Sequence, residues 1–213
     1  MKRNRSVSYY TAAMATTTKR RTSVGPVLQS EVTDAIQAAF FEELAAVGYG
    51  RLSIDAVARR AGVGKAAIYR RWRSKLDITV ALTSAVAVAA IDVPDTGSLR
   101  GDIRQYLENA CEALTHPLAG QIIPDLFAEA TRNPPLADAL LHTVRTPRRA
   151  KAAILFQRAV QRGELSAESD LEMCMDILGG PLYWRLAVVR TPTGEDYLDR
   201  LTDMVMAALT LNA

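Results

Sequence analysis

Basic and aromatic side chains recur at helical spacing between Lys65 and Lys75, a pattern suited to binding a polyanion. Lys65, Tyr69 and Arg73 are four residues apart, so a helix presents them on one face. Lysine and arginine donate hydrogen bonds to guanine and to phosphate, and a small residue such as Ala66 allows close approach to base edges and thymine methyl groups. The candidate DNA-contacting residues are Ser53, Gly64, Lys65, Ala66, Tyr69, Arg70, Trp72 and Lys75.

The preceding segment supplies the elements that would position this face. Ser53 suits the N-cap of a short helix over residues 53–60, and Gly62-Val63-Gly64 predicts a tight turn in which Gly62 is left-handed. A second short helix follows over residues 65–72. Two short helices joined by a glycine turn form a helix-turn-helix, whose second helix enters the major groove of DNA. The alternative is a basic helical hairpin that packs on the core and binds nothing.

The rest of the chain has the apolar period of helices and no strand-like alternation. A helix is predicted over residues 27–47, ended by Gly48, and a capping box over residues 74–77 starts another that continues to Ile91. Pro124 is expected to interrupt a later helix near its start, and Pro147 to kink or restart the next. Further helices are predicted over residues 99–115, 119–131, 133–162, 168–190 and 195–211. The predicted fold class is therefore all-α.

Charge is divided unevenly along the chain. Residues 1–75 hold 14 Lys and Arg against 5 Asp and Glu, a balance of +9, whereas residues 76–213 hold 12 against 18, a balance of −6. A basic front half predicts a polyanionic partner, either nucleic acid or an anionic membrane surface, and the alternative is a solvated charged face. The basic leader, residues 1–26, is interpreted either as disordered or as an arm that contacts phosphate or a minor groove.

The residue types that catalysis requires are sparse. Cys111 and Cys174 are isolated, the only histidines are His116 and His142, and no metal-ligand spacing, phosphate-binding glycine loop or nucleophile-base-acid set is present. We therefore predict no enzyme activity, no metal and no cofactor. The longest apolar-rich run, residues 78–91, is too short to span a membrane, and no signal peptide is visible. A cytoplasmic protein without a membrane partner is expected, with sequence-independent DNA binding as a rival to specific binding.

Short motifs follow one another in a fixed order across residues 27–80. They are Gly48-Tyr49, Ser53-Ile54, Val57-Ala58, Ala61-Gly62-Val63, Ile68-Tyr69, Trp72 and Ser74-Lys75. This segment closely resembles the DNA-binding domain of the tetracycline-repressor (TetR) family, with Gly64 where Ser or Thr is usual and Trp72 in place of Phe. The remainder resembles an actinobacterial-type TetR ligand domain, through Ile123-Pro124-Asp125-Leu126, residues 145–150, Arg162-Gly163-Glu164-Leu165 and residues 180–185.

The resemblance implies a function and an assembly. It implies a regulator, most simply a repressor, that a small-molecule effector releases from a palindromic double-stranded DNA operator, with activation as the alternative. It implies an N-terminal three-helix DNA-binding domain, residues 27–74, and a C-terminal helical ligand-binding and dimerisation domain, residues 75–213. In a homodimer of this type the last two long helices form the interface, and the stripes assigned to it are Leu171, Leu178, Leu182, Leu198, Leu201 and Val205. The alternative is that these stripes are the core of the subunit.

The resemblance also implies a ligand cavity among the middle helices. The candidate lining residues are Cys111, Phe127, Phe156, Tyr183 and Trp184, each of which also suits an ordinary core. An apolar lining in an acidic domain favours a hydrophobic or cationic effector.

Overall fold

The computed structural model describes residues 26–89, 93–194 and 196–210, and every regular element in these ranges is helical. The all-α prediction is confirmed. Residues 1–25 of the leader, and the predicted end of the fourth helix at Ile91, lie outside the described residues. The helices are α1 (Pro26–Arg51), α2 (Ile54–Ala61), α3 (Lys65–Tyr69), α4 (Lys75–Ala89), α5 (Leu99–Thr115), α6 (Ala119–Ala130), α7 (Pro134–Leu140), α8 (Thr146–Gln161), α9 (Leu171–Tyr183) and α10 (Tyr197–Thr210).

Caps and glycines set the ends of the N-terminal helices. Gly62 ends α2 in the left-handed conformation, with φ 68°, as the turn requires. Before α4, the Asp77 N–H donates to Ser74 Oγ over 3.0 Å, as in the predicted capping box. The Asp77 carboxylate accepts the N–H of Arg73 over 2.8 Å, one residue before the N–H of Ser74 that a standard capping box uses. Ser53 occupies the N-cap position of α2, but its side chain makes no cap hydrogen bond there.

The two prolines at which the sequence predicts a change in the helix lie in different settings. Helix α6 is continuous through Pro124, so the predicted interruption is wrong. Only one backbone hydrogen bond is lost there, close to the helix start, and burial of Ile122 and Leu126 on either side holds the helix together. At Pro147, where a kink or a restart is predicted, the helical backbone is unbroken: α7 passes through a π-helical turn, Leu141–Arg145, into α8, and Pro147 lies in the first turn of α8.

Two apolar cores organise the described residues. The first joins α1, α2, α3 and α4 to α6 and α7, and it includes Phe40, Val57 and Ile68 from the N-terminal part with Ile122 and Leu136 from the C-terminal part. The second joins α5, α8, α9 and α10. Packing therefore crosses the predicted domain boundary at residue 74, and the DNA-binding segment rests on α6 and α7. In the described ranges, no helix combines the length and apolar character that a membrane crossing needs.

The stripes assigned to a dimer interface lie largely inside the subunit. Leu178, Leu182, Leu201 and Val205 are buried in the second core, Val205 with none of its surface exposed, so these four serve the subunit core. Leu171 and Leu198 are partly buried and pack against the same core, and their assignment to a dimer interface stays a prediction. The physical reason is that α9 buries one apolar stripe against α5 and α8, and α10 buries one against α5 and α9. Large apolar side chains are exposed at Met173 of α9, at Trp184 in the π-helical turn Trp184–Val188 that follows α9, and at Met204 of α10.

Candidate nucleic-acid interface

The helix-turn-helix places one face of α3 in solvent. Ile54 and Val57 of α2 and Ile68 of α3 are buried, and they hold the two short helices together on α1. The opposite side of α3 exposes Lys65, Ala66, Tyr69 and Arg70, as the spacing predicts. Helix α3 ends at Tyr69, three residues earlier than predicted, and the N–H groups of Arg71 and Trp72 close a final turn on the carbonyl of Ile68.

Tyr69 is the large aromatic side chain on this face. Half of its surface, 51%, is exposed, although an aromatic ring gains free energy by burial. A ring in this position, with a hydroxyl at its tip, is available to contact a base or a phosphate of DNA.

Positive charge near α3 is partly neutralised and partly available. Lys65 forms an ion pair of 2.5 Å with Asp55, and Arg60 is held by Glu42 and Glu43 over 3.2 and 2.9 Å. Among the described residues, none forms an ion pair with Arg70 or Arg73. These two guanidinium groups are therefore available to contact phosphate.

Two candidate contact residues are engaged within the protein. Trp72 is partly buried against the first core. The Lys75 ammonium donates to the carbonyls of Tyr49 and Gly50 over 3.0 and 3.3 Å, and it lies 4.5 Å from the centre of the Tyr49 ring. The structure thus leaves Ser53, Gly64, Lys65, Ala66, Tyr69 and Arg70 exposed and uses Trp72 and Lys75 internally.

Arg71 is a contributor to this region that the sequence did not single out. Its Nε donates to Thr33 Oγ1 over 3.0 Å, and its Nη1 donates to the carbonyl of Ala67 over 2.8 Å. These bonds tie the end of α3 to α1. One partner of Arg71 can be inferred from the sequence, because Ala67 lies one helical turn before it. The other partner, Thr33, is 38 positions away, so nothing local in the sequence indicates that bond.

Residues 48–50, which we call the hinge, lie at the kinked end of α1, just before the helix-turn-helix. Gly48 has φ 74° and ψ 166°, which breaks the helix. The Tyr49 N–H donates to Asp125 Oδ2 of α6 over 2.7 Å. Burial and the negative charge of Glu129 raise the pKa of the Tyr49 hydroxyl, while a hydrogen bond to the Asn133 side chain opposes the shift. The hinge is therefore enclosed by α4 on one side and by α6 and α7 on the other.

Replacing Gly48 with alanine is expected to destabilise the fold. Its φ is one that alanine rarely adopts, and the added Cβ would overlap Oδ1 of Asp125. Backbone strain alone lowers the free energy of unfolding by about 1–3 kcal/mol, and the midpoint of thermal unfolding falls by roughly 3–10 °C. Gly50→Ala is the matched control, because its Cβ would make an ordinary contact 3.7 Å from Glu129 Oε2. Equal midpoints for both variants would contradict this account of Gly48.

The five candidate pocket residues occupy different environments. Phe127 and Tyr183 pack edge to face with ring centres 5.4 Å apart, and burial raises the pKa of the Tyr183 hydroxyl. Cys111 and Phe156 belong to or pack against the second core, whereas Trp184 is 61% exposed. An open groove of about 220 Å³ lies elsewhere, between the start of α5 and the end of α10, and none of the five lines it. Within the described ranges, no cluster of three or more His, Cys, Asp or Glu is placed to hold a metal ion.

Two protein-family descriptions match the chain. "Bacterial regulatory proteins, tetR family" matches residues 36–82, and "Tetracyclin repressor-like, C-terminal domain" matches residues 93–205. The first contains the helix-turn-helix and the hinge, and the second contains α5 to α9 with much of α10.

Related sequences and structures extend over most of the chain. The HTH-type transcriptional regulator YdeS of Bacillus subtilis is 31% identical over 174 residues, 82% of this chain and 86% of YdeS. The DNA-binding transcriptional repressor TetR of Mycobacteroides abscessus is 32% identical over 179 residues, 82% of this chain and 92% of the repressor.

Two solved structures show the same fold. The TetR family transcription regulator SCO0332 is 27% identical, with a TM-score of 0.66 over 83% of this chain and 97% of its own. The regulator FadR of Bacillus subtilis, solved in complex with stearoyl-CoA, is 16% identical, with a TM-score of 0.66 over 84% and 96%.

Proposed function

Because the chain belongs to the TetR family of bacterial transcriptional regulators, we propose that it is a repressor that a small-molecule effector releases from a palindromic operator. Membership of the family makes the chain a helix-turn-helix DNA-binding regulator and not an enzyme. The proposal rests chiefly on the exposed face of α3, where Lys65, Ala66, Tyr69 and Arg70 stand on a buried support. Its place of action is the chromosome, in the cytoplasm.

The residues of this face divide into base readers and phosphate contacts. We assign Lys65 and Ala66, at the start of α3, to base edges, since the first residues of a recognition helix contact bases in the major groove. We assign Tyr69, Arg70 and Arg73 to the phosphate backbone beside it, where contacts position the protein without reading sequence. Trp72 and Lys75 support the face from within, through the first core and the hinge.

The proposed dimer uses the exposed sides of α9 and α10. Met173 and Gly180 of α9 and Trp184, which directly follows α9, recur at steps of seven and four, and Met204, 70% exposed, lies on α10. Large apolar side chains exposed together mark an interaction surface, and a second copy of the chain buries them by pairing α9 and α10 with their counterparts. Such a dimer places two α3 helices about 34–36 Å apart on a palindromic site.

Effector release is proposed to act through α4, which links the two parts of the subunit. Lys75 fixes its start to the hinge, and Arg148 and Lys151 of α8 each donate over 2.9 Å to carbonyls near its end, Ala87 and Val88 respectively. An effector that favours a different position of α4 weakens operator binding by the same factor by which DNA weakens effector binding. The stearoyl-CoA complex of FadR supports an effector with a large apolar part.

The test is a titration of the purified protein with the DNA upstream of its own gene and with a scrambled duplex, across a salt series. A specific regulator binds the first duplex roughly 10³-fold or more tightly than the second at physiological salt. Equal and steeply salt-dependent affinities would instead indicate sequence-independent binding through a basic surface. Transcription from the same promoter, measured with and without the gene, then distinguishes a repressor from an activator.

A further inference from the structure

The hinge depends on neighbouring helices for its conformation. Gly48 breaks α1 and Gly50 follows two residues later, so two of the three hinge residues place few limits on their own backbone. After Gly48 the backbone makes one more turn, closed by the Leu52 N–H, which donates to the carbonyl of Gly48 over 3.0 Å. Helix α2 begins two residues after Leu52. The direction in which α2 and α3 leave α1 is therefore set here.

Asp125 holds the hinge from the side of α6. One carboxylate oxygen, Oδ2, accepts the Tyr49 N–H over 2.7 Å, and the other, Oδ1, lies so close to Gly48 that a Cβ added there would overlap it. A hydrogen bond to an ionised acceptor at this length is stronger than a neutral one. The two oxygens thus contact successive residues at the point where the backbone turns.

Lys75 holds the same segment from the side of α4. Its ammonium donates to the carbonyls of Tyr49 and Gly50 and lies over the Tyr49 ring. The backbone of Tyr49 is therefore fixed at its N–H by an anion of α6 and at its carbonyl by a cation of α4, so the peptide units on both sides of this residue are held. These hydrogen bonds fix the orientation of the hinge, because a hydrogen bond depends on direction. The apolar contacts of Ile122 and Leu126 are not directional, so they keep the helix-turn-helix segment packed on α6 but do little to prevent its rotation.

From this geometry we infer that Asp125 is a positioning residue for operator binding, which sets the angle between the helix-turn-helix and the rest of the subunit. The inference rests on the proposed function, because the angle matters when two α3 helices bind two half-sites together. Without Asp125 the segment stays packed on α6 but its orientation varies. The protein then loses discrimination between half-site spacings while each α3 reads its half-site as before.

The variant Asp125→Ala tests this, with Asp138→Ala as the control that removes an exposed carboxylate from α7. The full-length protein is titrated with duplexes in which the two half-sites are at the natural spacing, one or two base pairs closer, or one or two further apart, and with a duplex holding one half-site. We expect the wild type and the control to prefer the natural spacing by roughly tenfold or more, because two sites engage together only if the geometry permits. In Asp125→Ala the preference falls to about threefold or less, with half-site affinity within about twofold of wild type.

A second measurement reports on the hydrogen bond itself. Amide hydrogen exchange at Tyr49 is expected to accelerate roughly tenfold in Asp125→Ala while the buried amides of α5 and α9 keep their rates. Asp125→Asn, which keeps one carbonyl acceptor, should restore part of the spacing preference, and it replaces the alanine variant if that one does not fold.

Three results would overturn the inference. If Asp125→Ala keeps the preference of the wild type for the natural spacing, the inference is wrong, and the proposed function still stands. Equal losses on the half-site and on every full site, with faster exchange throughout, would show a purely structural role. Failure of the wild type to bind any specific site would overturn the proposed function and this inference with it.

Discussion

Replacing Tyr69 with alanine is expected to lower operator affinity by roughly 5- to 150-fold, the range of one good contact at a DNA interface. The stability of the protein should change by less than about 0.5 kcal/mol, since half of the ring is in solvent and supports no neighbour in the core. Fluorescence anisotropy with the labelled operator gives the affinity, and thermal unfolding gives the stability. Phe127→Ala is the matched control, because it removes a similarly exposed ring, 56%, from α6.

Two companion variants identify the contacts that Tyr69 and Lys65 make with DNA. Tyr69→Phe removes the hydroxyl alone, so a loss as large as that of the alanine variant would assign the contact to a hydrogen bond with phosphate. Lys65→Ala should weaken binding most on the natural operator if the lysine reads a base, whereas a uniform loss on all duplexes and a salt slope reduced by about 1 would mark a phosphate contact. Unchanged affinity in both alanine variants would show that α3 is not the reading helix.

The helix-turn-helix is predictable from sequence because each of its signals is local. Gly62 marks the turn, the apolar period marks the inner face, and Ser74 with Asp77 marks the start of α4, all within a few residues of the feature they specify. The exposed side of α3 follows directly, since burial of Ile68 turns the positions two residues before and after it, Ala66 and Arg70, to the opposite side.

The role of Lys75 is not predictable in this way. A lysine beside a recognition helix suits a phosphate contact, and only the folded chain brings the carbonyls of Tyr49 and Gly50, 26 and 25 positions away, to its ammonium. Asp125 is the same kind of case, because its partner Tyr49 is 76 positions distant. Both residues lie in motifs that resemble the family, but a motif does not state which residue contacts which.

The stripes of α9 and α10 show a different limit. The apolar period correctly identifies one buried face on each helix, but the period alone does not say whether the neighbour that buries it belongs to the same chain. Leu178 and Val205 are both buried within the second core of the subunit, so the face that we propose for a second subunit is the one that carries Met173, Trp184 and Met204. The pocket residues share this limit, since an aromatic ring suits a core and a cavity wall equally.

Replacing Met204 with aspartate is expected to abolish the dimer and, with it, most of the operator affinity. The side chain is 70% exposed in the subunit, so the charge is tolerated in the monomer but is desolvated when a second α10 covers it. A monomer binds one half-site and loses the effective concentration that links the two, which corresponds to a loss of roughly 10²- to 10⁴-fold. Sedimentation velocity gives the oligomeric state, and an operator titration at the same protein concentrations gives the affinity.

The controls separate the two faces of these helices. Ile154→Asp places the same charge on an exposed apolar position of α8, and it should leave both the dimer and operator binding unchanged. Leu178→Ala, in the second core, should lower the free energy of unfolding by about 2–5 kcal/mol, with association retained while the subunit stays folded. The opposite result would assign the interface to the stripe that contains Leu178. In that case the Met204→Asp protein remains dimeric, and the Leu178→Ala protein dissociates into monomers that are still folded.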